Sequence, residues 1–148
     1  MIKKDSSKVT GMVNVVVRDE ITGAIKQEFT VPNLVVDTGL AYIAGRMKDT
    51  SDAAMTHMAV GTDNTAAAAG NTALGSELAI QALTSTTVTA NSVAYVATYA
   101  AGTATGALTE AGIFNAASSG TMLCRTVFAV INKGAADSMT VTWTVTIS

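Results

Sequence analysis

The sequence predicts a mainly β fold, an antiparallel β-sandwich with one short α-helix. Three observations carry that expectation. Between residues 139 and 147, Met139, Val141, Trp143, Val145 and Ile147 alternate with Thr140, Thr142, Thr144 and Thr146. This is the period-2 pattern of a strand with one buried and one open face. Further β-branched runs, broken by Gly-, Asn- and Ser-containing turns, recur along the chain. One segment alone has a helical signature.

In chain order, residues 1–8 are polar and basic without periodicity and read as a flexible arm, leaving residues 9–148 as a single domain. Met12 to Val17 is β-branched and ends at a turn running from Arg18 to Gly23. Ile25, Gln27, Phe29 and Val31 then alternate with Ala24, Lys26, Glu28 and Thr30, so a hairpin is expected. Pro32 ends the second strand because it has no backbone donor. Asp37 is placed to cap a helix of about three turns, with Leu40, Ile43 and Met47 as its apolar stripe. Gly39 and Gly45 weaken that helix. Met55 to Val60 reads as a short strand. Gly61 to Gly75, with four consecutive alanines, reads as a surface loop long enough to be a contact element. Val88 to Tyr99, Thr109 to Asn115, Met122 to Ile131 and the final alternating run complete a count of seven or eight strands. Trp143, mid-strand in the most regular run, is expected between the two sheets.

Length and charge narrow the function. A chain of 148 residues can bury a substantial core without staples. No apolar run approaches the ~20 residues needed to span a bilayer. The start Met1-Ile2-Lys3-Lys4-Asp5 lacks the apolar stretch of a secretory signal. A net charge of -2 gives no attraction to nucleic acid or a membrane surface. One cysteine, Cys124, cannot form an internal disulfide, so folding in a reducing cytoplasm is expected. Of 9 cationic and 11 anionic side chains, all but Glu110, Arg125, Lys133 and Asp137 lie in residues 1–78. Soluble surfaces are normally about a quarter to a third charged. The second half therefore presents Thr, Ser, Ala and Gly, either as a neutral polar surface or, the sharper reading, as a surface covered by other subunits.

Catalytic chemistry has little to stand on. His57 is the single histidine, and no Gly-x-Ser-x-Gly elbow accompanies it. One His and one Cys cannot complete a zinc tetrad. Asp63 and Asn64 lack the dense acidic spacing of a calcium loop and fit an ordinary turn. No phosphate-binding glycine motif is present, and seven aromatic residues offer few platforms for bases. Cys124 among Met122, Leu123 and Val127 is expected to be a buried, inert thiol, and Tyr95 and Tyr99 to be core residues. No enzyme activity, cofactor or metal is expected.

Several segments carry a family likeness: Val31 to Gly39, His57 to Thr62, Thr72 to Leu78, Leu108 to Asn115 and Ile131 to Trp143. Their succession, over roughly residues 10–148, resembles small virion structural proteins of tailed bacteriophages, similar to jelly-roll cement or decoration proteins. The resemblance implies a jelly-roll-like sandwich and a non-enzymatic role in the virion. It also implies a homodimer or homotrimer that bridges subunits of the major capsid protein, with a tail or fibre protein as the alternative. It implies no individual site residue. From the residues themselves, partner contacts are expected at Lys3, Lys4 and Lys8 of the arm, at Asp63 and Asn64 of the loop, and at Thr142 and Thr144. Residues 138–148 carry neither charge nor proline to guard an edge, so Thr142 and Thr144 are expected on an edge strand, the alternative being a central strand already paired on both sides.

Overall fold

The computed structural model describes residues 7–148. Its strands are β1 (Val9–Asp19), β2 (Ile25–Pro32), β3 (Leu34–Val35), β4 (His57–Gly61), β5 (Glu77–Ala82), β6 (Ser85–Thr89), β7 (Ser92–Tyr99), β8 (Gly106–Phe114), β9 (Met122–Lys133) and β10 (Asp137–Ile147), with one helix, α1 (Asp37–Lys48). A first sheet has the order β2-β1-β10-β7-β6 and a second the order β3-β9-β8-β4-β5. Every pairing is antiparallel. The architecture is a β-sandwich. Its pairs nest, β1 with β10, β3 with β9 and β4 with β8, so the chain wraps inward from both sides.

Ten strands form among the described residues where seven or eight were expected. The Val88–Tyr99 run is divided by a two-residue hairpin turn at Ala90 and Asn91, in which Ala90 adopts a positive φ of 51°. The linking segments Leu34–Val35 and Glu77–Ala82 each add an edge strand too brief or too plain to stand out in the sequence.

Alternation places the core as read. Val13, Val15 and Val17 of β1 and Met139, Val141, Trp143 and Val145 of β10 all point between the sheets. They meet Met58, Val60, Ile113 and Phe128 of the second sheet. Trp143 is fully buried, opposite Val13 on one side and Tyr95 on the other. Its indole N–H has no hydrogen-bond partner, so packing alone holds it.

The helix departs from its expected form in two ways. Val36, extended at φ -80° and ψ 168°, is the N-cap, and no side chain caps the turn. Asp37 is instead the first helical residue, and its N–H donates to Ala69 O at 2.8 Å. The stripe also differs: Leu40 and Met47 are 47% and 86% exposed. The helix packs through Gly39, Tyr42 and Ile43, at i, i+3 and i+4. Gly39 permits this, since a Cβ there would stand 2.0 Å from the Leu123 carbonyl oxygen. The close approach of backbones sets the packed face, not the size of the side chains.

The C-terminal strand is not an edge. β10 is the middle strand of the first sheet, paired along its length with β1 and β7. The two ends of the described chain pair with each other along one side of β10, and β7 occupies the other side.

Candidate functional site

The outward side of the first sheet is a ladder of small uncharged side chains. Thr140, Thr142, Thr144 and Thr146 lie opposite Thr98, Val96, Ala94 and Ser92 of β7. On their other side stand Val16, Asn14, Met12 and Thr10 of β1. Ser85, Thr87 and Thr89 of β6 continue the same face. The Ser92 and Thr146 hydroxyls are 2.8 Å apart, and Asn14 Nδ2 donates to Thr30 Oγ1 at 3.1 Å. Charge enters this face only at its margin, through Arg18 of β1 and Lys26 and Glu28 of β2. Thr142 and Thr144 stand half-exposed in the middle of it.

The second half of the chain has no charged surface because its four charges are all buried. Glu110 is 0% exposed, and Arg125, Lys133 and Asp137 are each 2% exposed. Glu110 of β8 and Arg125 of β9 form an ion pair on the outer side of the second sheet, with Nη2–Oε2 2.8 Å and Nε–Oε2 3.1 Å. The carboxylate also accepts the backbone N–H groups of Asp63, Gly75 and Ser76 at 3.3, 2.9 and 2.7 Å. Arg125 reaches Asn71 Oδ1 at 3.1 Å and Asp63 Oδ2 at 3.6 Å. The Gly61–Gly75 loop is thus fastened at both ends by one buried pair.

An apolar plug completes the fastening. Leu74 is buried with Val36, Ala59, Phe114 and Met122 in a cluster separate from the main core. Gly112 leaves room for it: a Cβ there would lie 3.1 Å from the Leu74 side chain and 3.2 Å from those of Met122 and Phe114. The loop is therefore a fixed roof over the second sheet, with exposed alanines at Ala66, Ala68 and Ala69.

The other two buried charges lie at the β9–β10 turn. Asp137 receives Lys26 Nζ on both oxygens at 3.0 Å and the Gly134 N–H at 2.8 Å. Lys133 Nζ donates to Ala100 O at 3.1 Å. The Lys26 bond, then the Gly134 N–H, hold the Asp137 carboxyl below its ordinary pKa. A carboxyl depressed in the folded state adds stability above its unfolded pKa, and that stability is lost as pH falls through the folded value. Thermal melts are therefore expected to be level from pH 7 to about 5 and to drop below about 4. Asp137→Asn should show a shallower drop on acidification; a drop as steep as that of the wild type would remove Asp137 as a contributor.

The residues expected at partner contacts do not converge. Lys3 and Lys4 lie outside the described residues, as does most of the expected 1–8 arm. Lys8 is exposed, but its backbone is paired with that of Ser148 in both directions, at 2.6 and 2.8 Å. Asp63 lies on the second sheet's outer side, opposite the face that holds Thr142 and Thr144. Its carboxylate accepts the Thr65 N–H and hydroxyl at 3.1 and 2.9 Å, forming the ordinary turn expected of it. Those bonds lower its pKa, with Arg125 adding to the effect. Asn64 beside it is exposed.

The remaining reactive groups are built into the sandwich. His57 is half-buried on β4, its Nδ1 2.8 Å from Thr56 Oγ1. Burial pushes the Cys124 thiol well above its ordinary range, which makes it inert. Tyr99 donates to Met58 O at 2.6 Å, and burial raises its phenol. Tyr95 is pushed up to about 12 for the same reason. Among the described residues no group of three His, Cys, Asp or Glu side chains is placed to hold a metal ion. No helix among them is long and apolar enough to cross a membrane.

These features define a β-sandwich with one open face, charged only at its margin, and one roofed face. No family model matches the chain, and no curated protein or solved structure matches it either.

Proposed function

We propose that this chain is a non-enzymatic structural subunit of a tailed-phage virion, a cement or decoration protein that bridges subunits of the major capsid protein. The observation that carries the reading is the open face centred on β10, whose middle is free of charge. Every charged residue after Glu77 is buried, so no charge on that part of the surface must be desolvated or repels a neighbouring chain. A flat ladder of Thr, Ser, Ala and Val can lie against another subunit at little desolvation cost. Many copies, each with a modest interface, then attach stably through multivalency. The assignment to a phage particle rests on the resemblance of several sequence segments to cement proteins.

The test is the stoichiometry of purified particles. Quantitative mass spectrometry is expected to return a copy number comparable to that of the major capsid protein. A copy number at the level of tail components would place the chain in a tail or fibre instead. Thr142→Lys, with its side chain on the open face, should weaken particle binding at least ten-fold and leave the melt unchanged. Full binding by that variant would remove this face from the contact.

A further inference from the structure

An edge strand offers unpaired backbone N–H and C=O groups to any other strand, and proteins normally guard it. The described residues include four edges: β2 and β6 in the first sheet, β3 and β5 in the second. Three are guarded. β2 carries Lys26, Glu28 and Pro32. β3 is two residues long. β5 opens on Glu77 and is bulged at Leu78, where its pairing with β4 shifts from Ala79 to Glu77.

β6 has no such device. Its sequence is Ser85-Thr86-Thr87-Val88-Thr89, without charge, proline or glycine, and all five residues are exposed. Val88 is 71% exposed. Its ladder with β7 runs from Ser85–Val96 to Thr89–Ser92 with no shift, so the outer edge is straight.

We propose that β6 pairs antiparallel with β6 of a second copy of this chain, about a two-fold axis through Thr87. Two first sheets then become one continuous sheet. The strand's own sequence selects this occupant. Centred on Thr87, the pairing sets Thr87 against Thr87, Thr86 against Val88 and Ser85 against Thr89. All of these are β-branched or hydroxyl side chains suited to cross-strand contact. A two-fold interface brings each residue near the axis close to its own copy, so any charge there would meet a like charge. From Leu78 to Thr109 the chain carries none. The same pairs already hold the sheet together elsewhere: Thr140 faces Thr98, Thr10 faces Thr146, and Ser92 bonds to Thr146. The guarded edges prevent a head-to-tail chain of copies, so association closes at two.

Five paired residues bury less than the roughly 1,200–2,000 Å² of a standard interface. The dimer is therefore weak and concentration-dependent in solution. It does not depend on docking through the open face, since a chain that dimerised yet ignored particles would keep one property and lose the other.

Sedimentation velocity across a concentration series tests the pairing. The full chain is expected to pass from monomer to dimer. Thr87→Lys sets two ammonium groups against each other at the axis and should weaken association at least ten-fold without moving the melt. An equimolar mixture of Thr87→Lys and Thr87→Glu should restore a dimer that high salt dissolves. Thr87→Cys should give a disulfide-linked dimer on mild oxidation, whereas Thr142→Cys should not; the native Cys124 is buried and does not compete. A monomer at every concentration, a trimer, or Thr87→Lys associating like the wild type would each overturn the proposal.

Discussion

Glu110→Ala is expected to lower the unfolding free energy by about 3–5 kcal/mol, because it strands a buried guanidinium. Arg125 is 2% exposed, and Asp63 at 3.6 Å is too distant to replace a partner at 2.8 Å. The same change leaves the N–H groups of Gly75 and Ser76 without an acceptor. The pair itself need not be a net source of stability, since apolar residues of similar volume often replace buried ions at no loss. The double variant Glu110→Leu with Arg125→Met should therefore be more stable than Glu110→Ala alone. It should still lose the fastening of the roof, seen as faster hydrogen exchange at Gly75 and Ser76. Urea unfolding reads the first effect, and midpoints for Glu110→Ala and wild type that coincide would show that the pair is not holding the second sheet.

Trp143→Ala is expected to cost a similar amount, about 3–5 kcal/mol, for a different reason. The loss here is packing, since the indole N–H makes no bond and its removal forfeits none. Trp143→Phe keeps most of the apolar contact and deletes the unpartnered donor, so it should cost less than half as much. The pair of variants separates packing from polarity. Equal unfolding midpoints for Trp143→Ala and the wild type would contradict the burial of this side chain.

Strand alternation was legible in the sequence wherever one face is buried and the other open. Val13 to Val17, Phe29 to Val31 and Met139 to Val145 all point as their patterns indicate, while Ile147 at the strand end is exposed. Strand order was not legible, because pairing between distant segments leaves no local trace. Thr142 and Thr144 were therefore expected on an edge and lie in the middle of a sheet. The helix face was misread because its contact depends on Gly39, a residue that packs by having no side chain. Glu110 and Arg125 were hidden for the opposite reason, since a lone charge in a strand looks like a residue on its open face. Their rarity was the available signal. Four charges among so many Thr, Ser and Ala residues are too few to keep a surface soluble, and they serve instead as buried pairs and fasteners.

The pairing of β1 with β10 has a consequence for how the chain folds. Val9 is matched with Ile147, so nearly the whole described chain lies between two adjacent strands. Contacts so distant in sequence carry the full entropy of loop closure before they return any stability, which slows folding. During synthesis the β1–β2 hairpin can form early, but the valine-rich strand β1 keeps an unpaired side until β10 emerges. A nascent chain interrupted before Asp137 would expose that strand edge and leave the inner face of β7 without Trp143 beside it. Such intermediates are prone to aggregate. The first sheet is thus completed from its middle, by the strand that arrives last.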